Sequence, residues 1–229
     1  MTSISENLKR VRERISRAAE RAGRQAHDIT LVAVSKTKPA EAIVEAAAAG
    51  VRVVGENRVQ EAERKVGDVT DVVAWHLVGH LQRNKVKSAL RLFEMIHSVD
   101  SLRLAKEIGK RAVQAGISAR TLVQVNTSGA DSQFGAEPDA TVDLVGRISE
   151  LEGVGVEGLM TIGQFLPDPE AVRPCFVQLR ELGEEIAAAR FEGVSMAHLS
   201  MGMTGDFEVA IEEGATMVRV GSAIFGARQ

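Results

Sequence analysis

The sequence lacks several residues and features that would place it in a particular class. Its single cysteine, Cys175, cannot form an internal disulfide, so we expect a reducing, cytoplasmic compartment. Tyrosine is absent altogether. No apolar run reaches the roughly 20 residues of a membrane-spanning helix, and the N-terminal segment has no apolar core of a secretion signal. We therefore expect neither membrane insertion nor export.

The charges of the chain are close to balance. Lys and Arg number 28 and Asp and Glu number 31, which leaves a formal net charge of −3. A protein with that balance has no overall positive field to attract nucleic acid or an anionic membrane. The sequence also lacks a P-loop motif and a dinucleotide-binding glycine motif, so we expect no nucleotide site of either kind.

Short β-branched segments alternate with helical patterns along the chain. A leading helix is predicted within residues 1–24, where apolar residues recur at steps of four and three. Continuous apolar runs are typical of parallel strands that are buried on both faces. Eight β–α units predict an α/β fold with one domain over 1–229, a (β/α)8 TIM barrel, and a doubly wound open sheet is the alternative. The predicted strands are 30–34, 51–54, 73–78, 95–98, 120–126, 154–160, 194–198 and 216–220.

Polar and small residues follow the predicted strands, at the end of such a barrel where active sites lie. The first strand leads to Ser35 and Lys36, and the second leads to Asn57. Glycine lets backbone N–H groups approach an anion closely, and the last two loops of a barrel commonly hold a phosphate. A phosphate site is therefore predicted in the turns after strands seven and eight, at Ser200, Gly202, Gly221 and Ser222.

Lys36 is the candidate nucleophile. A lysine amine becomes nucleophilic when desolvation or a neighbouring cation removes its proton. The alternative is a solvated loop lysine like Lys38, two residues further on. A reactive lysine opposite a phosphate site is what a phosphorylated aldehyde cofactor requires, because the aldehyde forms a Schiff base while the phosphate binds the loops.

Two histidines and the cysteine are weaker candidates for chemistry. His76 and His80 are four residues apart, as metal ligands on a helix can be. Their segment is predicted to be a strand that enters a glycine turn, so the side chains should not converge, and we expect no metal site. Cys175 lies in a helical apolar pattern and is expected to be packed rather than reactive.

Seven motifs occur in this order along the chain: AVSKTKP, VVGENRVQE, WHLVGHLQRNK, IHSVD, GLMTIG, LSMGMTGDFEVAI and VRVGSAIFGAR. Together they resemble the pyridoxal phosphate homeostasis protein family. The resemblance implies a barrel like the N-terminal domain of alanine racemase, of the fold-type III group of proteins that bind pyridoxal 5′-phosphate (PLP). It implies a protein of vitamin B6 homeostasis without catalytic turnover. We expect it to deliver PLP to apo-enzymes and to be a monomer.

The resemblance also implies residue roles. Lys36 would carry PLP as a Schiff base, and Arg219 would face the pyridine nitrogen. A permanently charged arginine disfavours a proton on that nitrogen, which makes the ring a poorer electron sink. Arg219 could alternatively form a salt bridge inside the barrel. The remaining roles are phosphate binding by Ser200, Gly202, Gly221 and Ser222, and ring contacts by Asn57, Met160 and Met201.

Two other activities stay open as alternatives. Racemases of the alanine racemase type use a base on each face of the cofactor, one of them a tyrosine from a second domain, and this sequence has no tyrosine. A lyase or aldolase could use Lys36 to form a Schiff base with a phosphorylated sugar. The sequence also departs from the family pattern in the loop at 129–135, where Gln133 stands in place of a lysine. We therefore expect no second lysine for cofactor transfer in this loop.

Overall fold

The computed structural model describes residues 3–69 and 73–226, and within them eight parallel strands close into a barrel. The strands follow chain order around the barrel, and the eighth pairs with the first. This confirms the predicted (β/α)8 barrel and excludes the open sheet. The strands are β1 (Thr30–Val34), β2 (Val53–Glu56), β3 (Ala74–Leu77), β4 (Met95–Val99), β5 (Ala119–Val125), β6 (Val154–Thr161), β7 (Val194–Ser200) and β8 (Met217–Val220).

Helices connect the strands and surround the barrel, after a leading helix that was predicted from the apolar periodicity. In the described ranges, no helix has the length and apolar content that a bilayer crossing requires. The assignment of residues 1–229 to one domain stays a prediction. The α-helices are α1 (Ile4–Arg21), α2 (Ala40–Ala48), α3 (Val59–Lys65), α4 (Val86–Leu92), α5 (Leu102–Ala115), α6 (Pro138–Ser149), α7 (Arg173–Ala189), α8 (Phe207–Glu212) and α9 (Ser222–Phe225).

The leading helix supports the loops after the last two strands. A capping box starts it, in which Ser3 and Glu6 satisfy each other's backbone N–H groups. Its apolar face packs on α8 and α9. Arg14 forms two hydrogen bonds with Glu208, at 2.6 and 2.8 Å, and the Asn7 amide donates to the Ile224 carbonyl at 3.0 Å. The helix thereby fixes the positions of α8 and α9.

Apolar residues form two cores. The larger core fills the space between the barrel and the helices. The smaller core fills the barrel itself, because alternate residues of each parallel strand point inward. The barrel is therefore packed and has no pore. Its members are Val32, Val34, Val78, Met95, Leu122, Met160 and Met217.

Three strands extend onto polar residues beyond the apolar runs that predicted them. β2 ends at Glu56, β6 at Thr161 and β7 at Ser200. Parallel pairing continues onto these polar residues, since Glu56 pairs with Leu77 and Met160 pairs with Ser200. Because side chains alternate along a strand, the extension of β7 decides the direction of Ser200 and of the residue after it. This has consequences for the site.

Candidate functional site

The carboxyl ends of the strands open onto a cavity of about 490 Å³. This volume is in the range that proteins use for small molecules. A second cavity of about 650 Å³ lies over the loops after β2 and β3, and the two share Asn57. Of these two cavities, the one of 490 Å³ is lined by the candidate nucleophile. Its lining includes the predicted site residues Lys36, Asn57, Arg219, Gly221 and Ser222.

Lys36 reaches this cavity because of where β1 ends. Val34 points into the barrel and belongs to the inner core, and Ser35 is fully buried. The Ser35 N–H donates to the Gly55 carbonyl at 3.0 Å, which continues the pairing with β2 beyond the end of β1. Alternation then directs Lys36 to the same side as Val34, at the mouth of the barrel. The predicted placement of Lys36 at the end of the first strand is confirmed.

Arg219 enters the base of the cavity from β8 and is only 5% exposed. Its Nη1 donates to Ser200 Oγ at 2.8 Å, and its Nη2 donates to the Thr161 carbonyl at 2.7 Å. Burial lowers the pKa of Arg219 to about 10, so the guanidinium is a cation at neutral pH. Both partners are neutral oxygens. Among the described residues, the ion pairs within 4.0 Å do not include Arg219, and the alternative of a salt bridge is not observed.

The hydrogen bonds continue from Arg219 across the barrel interior. His97 Nδ1 lies 3.0 Å from Ser200 Oγ, and His97 Nε2 lies 2.9 Å from His76 Nδ1. We call the four residues Arg219, Ser200, His97 and His76 the Arg219 chain. Since a guanidinium can only donate, Ser200 Oγ accepts from Arg219 and links it to His97.

Both imidazoles of the Arg219 chain are neutral at pH 7. Burial, followed by the charge of Arg120, lowers the pKa of His76 to about 4. Burial also lowers the pKa of His97 well below its usual value, and the neighbouring His76 and Arg219 add to that effect. The chain therefore holds one positive charge, on Arg219, and hydrogen-bonds it to neutral groups.

The loops after β7 and β8 meet at the same cavity. A tight turn forms where Asp206 Oδ1 accepts from the Met203 N–H at 2.5 Å. Burial raises the pKa of the Asp206 carboxyl. The turn brings Thr204 next to α9, and the Ser222 hydroxyl donates to Thr204 Oγ1 at 3.3 Å. Two hydroxyls thus face one cavity beside the backbone of Gly221. Sequence reasoning missed Thr204, although it follows a predicted loop residue by two positions.

Gly202 has a backbone role in this loop. Its φ of +88° is a conformation that favours glycine. A Cβ at this position would lie 2.6 Å from the Cβ of Ala210 and 2.8 Å from the Cα of Phe207. The Gly202 carbonyl accepts from the Arg219 N–H at 2.9 Å. Gly202 therefore allows the loop to pass close to α8 while it stays hydrogen-bonded to β8.

Four predicted site residues do not line the cavity: Met160, Ser200, Met201 and Gly202. Met160 is fully buried in the inner core, with Val34 and Val78. The Ser200 hydroxyl is bonded to Arg219 inside the barrel, away from the turn where it was expected to meet a phosphate. Met201 packs in the outer core between the barrel and the helices. The extension of β7 to Ser200 is the physical reason for the positions of both Ser200 and Met201, because it turns the first side chain into the barrel and the second outward.

The predicted separation of His76 and His80 is confirmed. His76 is bonded to His97, whereas the His80 ring stacks on Phe134 with 3.9 Å between centroids. Over residues 3–69 and 73–226, no three His, Cys, Asp or Glu side chains are grouped so as to hold a metal ion. Cys175 is buried in α7, as its apolar pattern predicted.

Comparisons with known proteins agree with this architecture. The profile of the family described as alanine racemase, N-terminal domain, matches residues 6–229. A pyridoxal phosphate homeostasis protein of Aquifex aeolicus is 48% identical over 225 residues, and the match covers 98% of each chain. The motif-based resemblance to that family is thereby confirmed.

Two solved structures have the same fold at substantial sequence identity. An unknown protein from Bifidobacterium adolescentis matches with a TM-score of 0.92 and 40% identity, over 96% of this chain and 94% of that one. PipY of Synechococcus elongatus, solved with PLP bound, matches with a TM-score of 0.85 and 35% identity, over 98% of this chain and 100% of that one. The chain therefore belongs to the alanine racemase N-terminal domain family and, within it, to the pyridoxal phosphate homeostasis proteins.

Proposed function

We propose that this protein binds PLP in the 490 Å³ cavity and holds it through Lys36, as part of intracellular PLP homeostasis. The observation that carries the proposal is that one cavity is lined by Lys36, Arg219 and the hydroxyls of Thr204 and Ser222. The bound PLP of the similar protein PipY supports the choice of ligand.

The donors around the cavity fit the three polar parts of PLP. Lys36 supplies a primary amine for the aldehyde. Arg219, which can only donate, matches a pyridine nitrogen that carries no proton. Thr204 and Ser222 present hydroxyl groups beside the backbone of Gly221, and this is suitable for a phosphate. These three sets of donors come from the segment after β1, from β8 itself and from the loops after β7 and β8, and they line the same space, as a ligand with three separate polar groups requires.

Arg219 favours storage of the cofactor over catalysis with it. PLP supplies a reactive aldehyde and a ring that can accept electrons, and the ring accepts them best when its nitrogen is protonated. Even with its lowered pKa of about 10, Arg219 is cationic at neutral pH. The positive charge and the N–H groups of Arg219 would disfavour a proton on the pyridine nitrogen that faces them. We propose that the protein exchanges PLP with amines but does not turn over amino acids.

Several details belong to the proposal and are not established by the site. Delivery of PLP to apo-enzymes, a monomeric state and a cytoplasmic location are expectations from the sequence. Racemisation is disfavoured because the sequence has no tyrosine to serve as the second base. The lyase or aldolase alternative would use the same lysine and the same hydroxyls, so it needs an experimental decision.

The test is the visible absorption spectrum of the purified protein with added PLP, before and after borohydride. We expect wild type to show a yellow band that borohydride removes, and the mass of the peptide that contains Lys36 to increase by reduced PLP. Lys36→Ala should lack both signals. Lys87→Ala, which removes an exposed lysine on α4, should retain both.

Two results would contradict the proposal. A wild-type protein that stays colourless with PLP would remove the cofactor assignment, and phosphorylated sugars would then be tested with borohydride trapping. Racemisation or transamination of alanine by the loaded protein, above the rate of PLP in buffer, would contradict the non-catalytic role.

A further inference from the structure

A second buried polar group lies behind Lys36, on the outer side of the barrel. It consists of Ser35, Glu56, Glu61 and Lys65, which we call the Glu56 cluster. Glu56 is the last residue of β2 and is fully buried. Glu61 and Lys65 lie on α3, the helix that follows β2. The cluster thus links this helix to the segment that carries the candidate nucleophile.

The residue before Lys36 is held at two of its polar groups. The Ser35 hydroxyl donates to Glu56 Oε1 at 2.6 Å. The Ser35 carbonyl, which belongs to the peptide group that precedes Lys36, accepts from Lys65 Nζ at 3.0 Å. Lys65 Nζ also lies 2.6 Å from Glu56 Oε1, so the two contacts depend on one ion pair. Movement of that peptide group would break this buried arrangement.

The residue after Lys36 is also held by the cluster. The Thr37 N–H, in the peptide group that follows Lys36, donates to Glu61 Oε2 at 3.1 Å. Thr37 has a φ of +65°, an uncommon conformation for a β-branched residue that needs support from its surroundings. Lys65 Nζ lies 3.9 Å from Glu61 and stabilises its charge. Both peptide groups of Lys36 are therefore anchored to side chains of α3, and the Ser35 hydroxyl is anchored to the end of β2.

We infer that Glu56, paired with Lys65, is a positioning residue: the pair fixes the backbone before Lys36, and Glu61 beside Lys65 fixes the backbone after it, so that the ε-amine enters the cavity in one orientation. The inference rests on the proposed function. Condensation joins the amine nitrogen to the aldehyde carbon and releases one water, so it depends on how the amine is presented. A displacement of about 1 Å can slow such a step about 100-fold.

The main experiment mixes cofactor-free protein rapidly with PLP and follows the visible band. The limiting first-order rate reports the reaction of Lys36, and the PLP concentration at half of that rate reports docking. We expect Glu56→Gln to lower the limiting rate about 10- to 100-fold and to change the half-saturating concentration by less than about twofold. Glu63→Gln, an exposed change on the same helix, should behave as wild type.

A double variant separates positioning from stability. Glu56→Leu with Lys65→Met replaces the ion pair by apolar side chains, which often restores the stability that a broken buried pair loses. A positioning role predicts that this variant regains its melting temperature but reacts as slowly as Glu56→Gln, because Ser35 has lost both partners. A rate equal to that of wild type in the double variant would overturn the inference.

Glu61→Gln tests the other side of Lys36 if the Glu56 variants fail to fold. It weakens the Thr37 anchor and leaves the buried pair intact, and we expect the limiting rate to fall about three- to tenfold. If the Glu56 variants do not fold and Glu61→Gln reacts at the rate of wild type, the inference is overturned.

A measurement without PLP separates failure of the inference from failure of the proposed function. Limiting acetic anhydride labels lysine amines, and mass spectrometry gives the reactivity of Lys36 relative to Lys9 and Lys87. We expect the relative reactivity of Lys36 to change about threefold or more in Glu56→Gln. If wild type does not react with PLP but this change occurs, the proposed function fails and the positioning role stands. If PLP reacts normally in every variant and labelling is unchanged, only the positioning role fails.

Discussion

Two buried polar groups flank the cavity, and they hold their charges in opposite ways. The Glu56 cluster pairs an anion with a cation at 2.6 Å, outside the barrel wall. The Arg219 chain, inside the barrel, surrounds a single cation with a hydroxyl, a carbonyl and two neutral imidazoles. In the first group the cation of Lys65 is shared between Glu56 and, at 3.9 Å, Glu61. In the second the direct partners of Arg219 are neutral and the Asp206 carboxylate acts on it only electrostatically, so the charge of Arg219 can act on whatever occupies the cavity.

The difference corresponds to two tasks at one site. A buried ion pair at 2.6 Å keeps its members in place, because separating them would leave an uncompensated buried charge. This suits a group that fixes the backbone around Lys36. A cation on neutral partners keeps its electrostatic effect, which suits a group that is to act on a ring nitrogen. The same contrast predicts different responses to mutation and to pH. The Glu56 cluster depends on the opposite charges of Glu56 and Lys65, whereas the Arg219 chain depends on His76 and His97 staying neutral.

The largest effect is expected when the ion pair of the Glu56 cluster is broken on one side. Lys65→Met leaves the Glu56 carboxylate buried without its cation, which should lower the free energy of unfolding by about 3–5 kcal/mol. Glu56→Leu with Lys65→Met should recover most of that loss. Urea unfolding of the cofactor-free protein measures both. Arg147→Met, which removes a surface ion pair with Asp143, should change it by less than about 0.5 kcal/mol. If Glu56→Leu with Lys65→Met were as unstable as Lys65→Met alone, the stability of the Glu56 cluster would not depend on pairing the two charges.

The next effect concerns Ser200, the link in the Arg219 chain. Ser200→Ala removes the acceptor of Arg219 and the partner of His97, so we expect the unfolding free energy of the cofactor-free protein to fall by about 2–3 kcal/mol. Ser195→Ala, at an exposed position of β7, should have an effect below about 0.5 kcal/mol. If Ser200→Ala weakened PLP binding and left the cofactor-free protein as stable as wild type, Ser200 would be a phosphate ligand, as the sequence predicted.

The neutral imidazoles should make stability depend on pH. Folding lowers the pKa of His76 from 6.5 to about 4, so the unfolded chain binds the proton more readily. This contribution to stability is complete above about pH 6.5 and is lost as the pH falls towards 4. Between pH 7.5 and 5, wild type should lose about 2 kcal/mol more than His76→Gln does. Urea unfolding at the two pH values measures the difference, with His27→Gln, an exposed histidine, as the control. If wild type and His76→Gln lost equal amounts of unfolding free energy, His76 would not be a neutral imidazole of the Arg219 chain.

The barrel and the place of the lysine could be predicted because they depend on local patterns. Continuous apolar runs gave the eight strands, and Lys36 directly follows the first of them. The glycine and serine turns after β7 and β8 likewise indicated which loops meet at the cavity. Each of these features needs only the order of residues and the rule that parallel strands present their carboxyl ends at one side.

The roles of Ser200, Met201 and Glu56 could not be predicted in the same way. Pairing between neighbouring strands carries β7 and β2 onto polar residues, and an apolar pattern gives no sign of where such a strand ends. A shift of one residue exchanges the two faces of a strand. The hydrogen bonds from Glu56 and Lys65 to Ser35 join positions that are distant in sequence, and charge alone does not reveal which of many carboxylates is buried.

The pairing of β8 with β1 brings the two ends of the chain together at the cavity. Lys36 follows the first strand of the barrel, while Arg219 and Ser222 belong to the last strand and the loop after it. A ligand held by all three would span the seam where the barrel closes. A chain emerging from the ribosome would therefore have Lys36 long before Ser222, and all three residues could hold a ligand together only once the eighth strand had been made and inserted. Binding of such a ligand would stabilise the closed barrel and would report that the eighth strand has paired with the first.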